Sequence, residues 1–135
     1  MGSPARRIID KELPRGPSPG SRGRAAFRVC EKLREPLTAY AGAIGFRSLL
    51  RRALSLARAQ EPWLVALQVN DAGVVIFPAD FEPALDTKAA ARAGEALVGQ
   101  LLQLLETFIG EALTLRLLHE VWPTAATKGS KTEEI

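Results

Sequence analysis

The sequence predicts a mainly α-helical domain with one β-hairpin, an α+β arrangement built on a long C-terminal hydrophobic helix. Three observations carry this: a helical hydrophobic period from Asp86 to Trp122, a second such period from Phe46 to Gln60, and two short apolar runs around Asn70-Asp71-Ala72-Gly73. The chain has 135 residues with 47% hydrophobic content, enough for one core and short for two domains. Its expected organisation is a disordered basic tail at 1–23, a single domain at 24–123 with the hairpin near 63–77, and a flexible polar tail at 124–135.

Residues 1–23 hold Pro4, Pro14, Pro17 and Pro19 among Gly, Ser and Arg, which predicts a tail without helix. Its one apolar cluster is Ile8, Ile9 and Leu13. No apolar run of signal-peptide length occurs there, and Arg6 stands where a myristoylation motif places Ser or Thr, so the expected location is cytoplasmic.

From Arg24 onward Ala26, Val29, Cys30, Leu33 and Leu37 recur at helical spacing, so Cys30 belongs to a core stripe. Pro36 lacks an amide donor and its ring crowds the carbonyl of Lys32, which predicts a kink there. Tyr40, Ala41 and Ile44 continue the stripe, and Gly42 and Gly45 loosen the chain.

The segment Leu33-Arg34-Glu35-Pro36-Leu37-Thr38-Ala39-Tyr40-Ala41-Gly42 resembles the region around the phospho-accepting histidine of sensor histidine kinases. That family places its histidine two residues before the position of Leu33, and this chain has Glu31 there. The phosphotransfer role therefore does not carry over. The resemblance implies only a helix able to pair in a helical bundle.

Phe46 to Gln60 reads as an amphipathic helix, with Phe46, Leu49, Leu50, Ala53, Leu54, Leu56 and Ala57 opposite Arg47, Arg51, Arg52 and Arg58. A basic stripe of this kind suits nucleic-acid phosphates, an anionic membrane surface bound peripherally, or acidic protein. Charge is unevenly divided. Up to Arg58 there are thirteen basic and four acidic residues, a balance of +9; beyond it five basic and eleven acidic residues give −6, and the whole chain carries +3. Halves of opposite sign favour contact within the chain or between copies.

After Pro62, Trp63 to Val69 reads as a strand, Asn70 to Gly73 as a turn, and Val74 to Phe77 as the returning strand stopped by Pro78. Two strands leave edges open, to be covered by a helix or by a second copy. Asp80-Phe81-Glu82-Pro83 reads as a loop, and Asp86 or Thr87 as the cap of the long helix. Along that helix Leu97, Val98, Leu101, Leu102, Leu104, Leu105, Phe108, Ile109, Ala112, Leu113 and Leu115 share a face. The pattern changes phase near Gly110: Leu117, Leu118 and Val121 fall on the formerly polar side. This predicts a bend or restart at Gly110, or a second buried face.

No transmembrane segment is expected, because the uncharged run Ala96 to Leu105 is too short to span a bilayer. With one cysteine and one histidine, Cys30 and His119, neither an intramolecular disulfide nor an ordinary Cys/His zinc site can form in one chain. No phosphate-binding loop, dinucleotide fingerprint or nucleophile motif occurs, so the expectation is no cofactor and no catalysis. The expected function is a protein–protein interaction or self-assembly module, a homo-oligomer or the partner of another protein. Its contacts would come from Leu117, Leu118, Val121 and Trp122, with Arg47, Arg51, Arg52 and Arg58 as the alternative face for nucleic acid or anionic membrane.

Overall fold

The computed structural model describes residues 4–12, 21–79 and 87–122. Within them are four α-helices and one hairpin: α1 (Pro4–Glu12), α2 (Ser21–Gln60), a 3-10 turn (Pro62–Ala66), β1 (Gln68–Val69), β2 (Val75–Ile76), α3 (Lys88–Ile109) and α4 (Glu111–Val121). The predicted class therefore holds, a mostly helical domain with a two-stranded antiparallel hairpin. The loop at Asp80-Phe81-Glu82-Pro83, the alternative cap Asp86 and the tail 124–135 lie outside the described residues.

The stretch expected to be a tail without helix contains α1. Pro4 occupies the first turn, where a missing N–H costs nothing, and the next proline is Pro14. Ala5, Ile8 and Ile9, spaced i, i+3 and i+4, are buried. Nine residues are too few for a stable helix in water, so this packing is what makes α1 helical.

Pro36 is carried inside α2, and the chain turns instead at Gly42, where φ 83 and ψ 164 leave the helical region. The two arms, 21–41 and 43–60, fold back on each other. Phe27 near the start of the first arm meets Trp63 just beyond the end of the second, with ring centroids 6.4 Å apart. Both arms face the core, the first with Val29, Cys30, Leu33 and Leu37, the second with Phe46, Leu50, Ala53, Leu54 and Ala57.

The run Trp63 to Val69 is not one strand. Pro62 fixes the start of a 3-10 turn that buries Leu64, Leu67 is buried just beyond it, and only Gln68 and Val69 pair, opposite Ile76 and Val75 respectively. Asn70 organises the reversal: its Oδ1 accepts from the amides of Ala72 (2.9 Å) and Val74 (3.0 Å), and its carbonyl accepts from Gly73 N at 3.0 Å.

The long C-terminal helix is two helices. Thr87 caps α3 by accepting from Ala90 N at 3.1 Å, and Gly110 (φ 90, ψ 158) ends it and starts α4. Core residues Ala90, Ala93, Leu97, Val98, Leu101 and Leu105 run nearly the full length of α3 against α2. α3 begins beside the start of the first arm so closely that a Cβ on Gly94 would stand 2.5 Å from the Ala26 Cβ. From there its 22 residues, about 33 Å, run toward the Gly42 elbow. The break at Gly110 thus falls at the same end of the molecule as the break at Gly42. α4 then returns, bringing Trp122 to α1.

Candidate interaction surface

The four arginines of the second α2 arm do not form a free basic stripe. Arg51 donates from Nε (3.2 Å) and Nη2 (3.0 Å) to the carbonyl of Val69, and from Nη2 to Asp71 Oδ1 at 3.2 Å. Arg58 donates from Nη2 to the carbonyl of Leu67 and from Nε to that of Leu64 at 3.4 Å; Arg47 donates to the carbonyl of Asp71 at 3.1 Å. Three guanidinium groups therefore bind carbonyls of the 3-10 turn and the hairpin. The hairpin rests on its own chain. Arg52 makes no hydrogen bond or ion pair among the described residues and is exposed.

The apolar residues expected to meet a neighbour are likewise spent at home. Leu117, Leu118 and Trp122 are buried and Val121 is half-buried. They do not offer a free contact face in the single chain. The reason is the phase change itself: by restarting at Gly110, α4 turns its Leu117 and Leu118 face inward onto the core.

Trp122 also closes a polar cluster that the sequence does not signal. Its indole Nε1 donates to Glu12 Oε2 at 2.8 Å, Lys32 Nζ stands 2.6 Å from the same oxygen, and Arg28 Nε lies 3.4 Å from Oε1. Burial alone would push the Glu12 carboxyl up. Hydrogen bonds from Lys32 and Trp122 and the Lys32 charge outweigh it and hold the carboxyl below its ordinary value of 4.5. α1, α2 and α4 are joined through this one side chain.

Among the described residues, four of the seven exposed large apolar side chains flank the two helix breaks; the others, Leu56, Val65 and Ile76, lie on the second α2 arm, the 3-10 turn and β2. Tyr40 is 44% exposed and Ile44 68%, on either side of Gly42; Phe108 is 56% and Leu115 50%, on either side of Gly110. The shorter side chains between them, Ala39, Ala43 and Ala112, are exposed or half-exposed as well. The long-helix pattern assigns Phe108, Ala112 and Leu115 to the buried face. The break at Gly110 ends that face and leaves all three outward.

The largest clefts away from these side chains include a polar one. An open cleft of about 420 Å³ between α1, α3 and the end of α2 holds Gln60, Gln100 and Gln103, with the pairs Arg6–Glu95 (3.5 Å) and Arg92–Glu61 (3.8 Å). Cys30 is fully buried, and burial first, with the Glu31 charge second, pushes its thiol up to about 12, which keeps it protonated and unreactive. His119 is exposed near the end of α4, and no group of three or more His, Cys, Asp or Glu among the described residues could hold a metal ion.

Comparison of the chain with protein-family models, with curated proteins and with solved structures finds no match. Among the described residues no helix is long and apolar enough to cross a membrane.

Proposed function

We propose that the protein is a non-catalytic interaction module that self-associates through the end of the molecule carrying both helix breaks. The observation behind this reading is the placement of Tyr40, Ile44, Phe108 and Leu115, four large apolar side chains 44–68% exposed at one end of the fold. Single exposed apolar residues are ordinary on any protein surface, whereas a group gathered at one end gains free energy when a second surface covers it. The basic face receives less support as a nucleic-acid or membrane contact, because Arg47, Arg51 and Arg58 are engaged with carbonyls of the same chain.

Sedimentation equilibrium tests the reading. The wild-type chain should show an average mass that rises above 14.6 kDa with concentration, and Ile44→Glu combined with Phe108→Glu should hold it at the monomer value without lowering the thermal midpoint. A wild-type chain that stays at monomer mass throughout the concentration range overturns it.

A further inference from the structure

α3 carries a second stripe beside the one it buries. Lys88, Arg92, Glu95, Gly99 and Gln103 recur three or four residues apart, so they share one face of the helix. Along that face the surface dips twice. A cleft of about 460 Å³ is lined by Arg6 of α1, Arg22 of α2, and Lys88, Ala91, Arg92 and Glu95 of α3. The polar cleft of about 420 Å³ continues it, since Arg6, Arg92 and Glu95 line both. From Lys88 to Gln103 the groove follows α3 for about 22 Å, and Ala91, Ala96 and Gly99 keep that wall low.

The two halves differ in chemistry. The first sets four cations from three helices against one lining carboxylate, Glu95. A cleft lined by charge of one sign concentrates ions of the other. Arg22 is anchored by Asp10 and by the carbonyl of Arg6. The pairs Arg6–Glu95 and Arg92–Glu61, at 3.5 and 3.8 Å, are longer than a usual charge-assisted hydrogen bond, and both arginine side chains are more than half exposed. Lys88 is exposed and makes no hydrogen bond or ion pair among the described residues. Beyond Arg92 and Glu95 the groove continues with the carboxamides of Gln60, Gln100 and Gln103, each offering two donor hydrogens and an acceptor oxygen.

We propose that this groove binds a small phosphate ester, with its phosphoryl group among Arg6, Arg22, Lys88 and Arg92 and a hydrogen-bonding body such as a nucleoside along Gln60, Gln100 and Gln103. A phosphoryl group suits the first half better than a carboxylate does. At neutral pH it carries nearly two negative charges on three acceptor oxygens, so donors can reach it from several directions at once, and here the cations come from three different helices. Guanidinium forks pair with phosphate oxygens two at a time, and the Lys88 ammonium adds a point charge beside them. The groove shares no residue with the exposed group Tyr40, Ile44, Phe108 and Leu115, so binding here goes beyond self-association and does not rest on it.

Titration of the full chain with AMP, followed through backbone amide NMR shifts, tests this. Amides of residues 88–92 and 99–103 should shift, and Lys88→Glu should weaken binding about tenfold; a carboxylate suits the first turn of a helix, so this variant keeps its fold. Arg52→Glu makes the same change in net charge at an exposed position outside the groove and should bind as the wild type does. AMP should also bind more tightly than inorganic phosphate, and Gln103→Ala should remove most of that advantage. Vesicles carrying phosphatidylinositol phosphate form the second arm. Flotation with them that Lys88→Glu abolishes, without any response to AMP, assigns the phosphoryl group to a lipid headgroup held by the same cations. No response to AMP, phosphate or vesicles overturns the proposal. So does equal weakening by Lys88→Glu and Arg52→Glu, which would reduce the binding to attraction by net charge, and equal affinity for AMP and phosphate would overturn the role of the three glutamines.

Discussion

At Gly42 and at Gly110 the backbone makes nearly the same excursion, φ 83 with ψ 164 and φ 90 with ψ 158, yet the helices beyond the two breaks are held by different means. The second arm of α2 has eighteen residues beyond its break, buries Phe46, Leu50, Ala53, Leu54 and Ala57, and is stitched through three arginines to the 3-10 turn and hairpin that come next in sequence. α4 has eleven residues, buries Thr114, Leu117 and Leu118, and is tied at its far end to Glu12. One break is secured by neighbours in sequence. The other depends on a few side chains and on the opposite end of the chain. A helix break therefore does not decide how firmly the next helix is held; the number of local partners does.

The largest expected effect comes from removing the apolar hold on α4. Leu117 is fully buried, so Leu117→Ala should cost about 2–5 kcal/mol, read as a lower urea midpoint. If the weak-hold picture is right, amides of α4 should exchange with solvent faster than those of α3 in the same variant, while amides of the second α2 arm stay protected. Equal loss of protection in both regions would erase the contrast.

Next come the breaks themselves. A Cβ at either glycine meets nothing within 4 Å, so the cost of alanine there is backbone strain alone, about 1–3 kcal/mol for a conformation that is nearly restricted to glycine. Gly42→Ala should show this cost in global unfolding. Gly110→Ala should show less, because α4 can come loose locally and relieve the strain; urea unfolding monitored by circular dichroism measures both. A Gly110 variant as unstable as the Gly42 variant would mean that α4 unfolds only with the whole.

The smallest effect tests the far tie. Glu12→Gln keeps an acceptor for the Trp122 indole but loses the charge that Lys32 and Arg28 face. Both cations are about half exposed, so the loss at neutral pH should be about 1 kcal/mol. Because the folded protein holds the Glu12 carboxyl below 4.5, its contribution is fully present above pH 4.5 and fades as pH falls through the lowered value. Wild type and Glu12→Gln should therefore differ at pH 7 and converge in acid. Urea midpoints at the two pH values check this, and a constant difference would assign the tie to shape rather than charge.

Periodicity makes much of the core legible. Leu97, Leu101 and Leu105 on α3 and Leu50, Ala53 and Leu54 on α2 recur at helical spacing and are buried together. The same signal cannot place Phe108 and Leu115, since a wheel drawn through Gly110 assumes one axis where the chain has two. α1 is hidden because a proline-rich composition from 1 to 23 conceals a window from Ala5 to Leu13 that contains no proline. The arginines do stand opposite the apolar face, but what covers that side is backbone carbonyls of the turn and hairpin, and side-chain patterns carry no record of those. Glu12 has no local signal at all, as its indole partner stands 110 residues away.

That separation has a kinetic consequence. Contacts between the second α2 arm and the hairpin span 6 to 24 residues, so small loops close to make them, whereas joining Glu12 to Trp122 requires nearly the whole chain to be ordered beforehand. In a refolding experiment the indole should report its native environment after helical content has already recovered, with unfolding running the other way. The first described helix and the last act as a clasp that is fastened last and opens first.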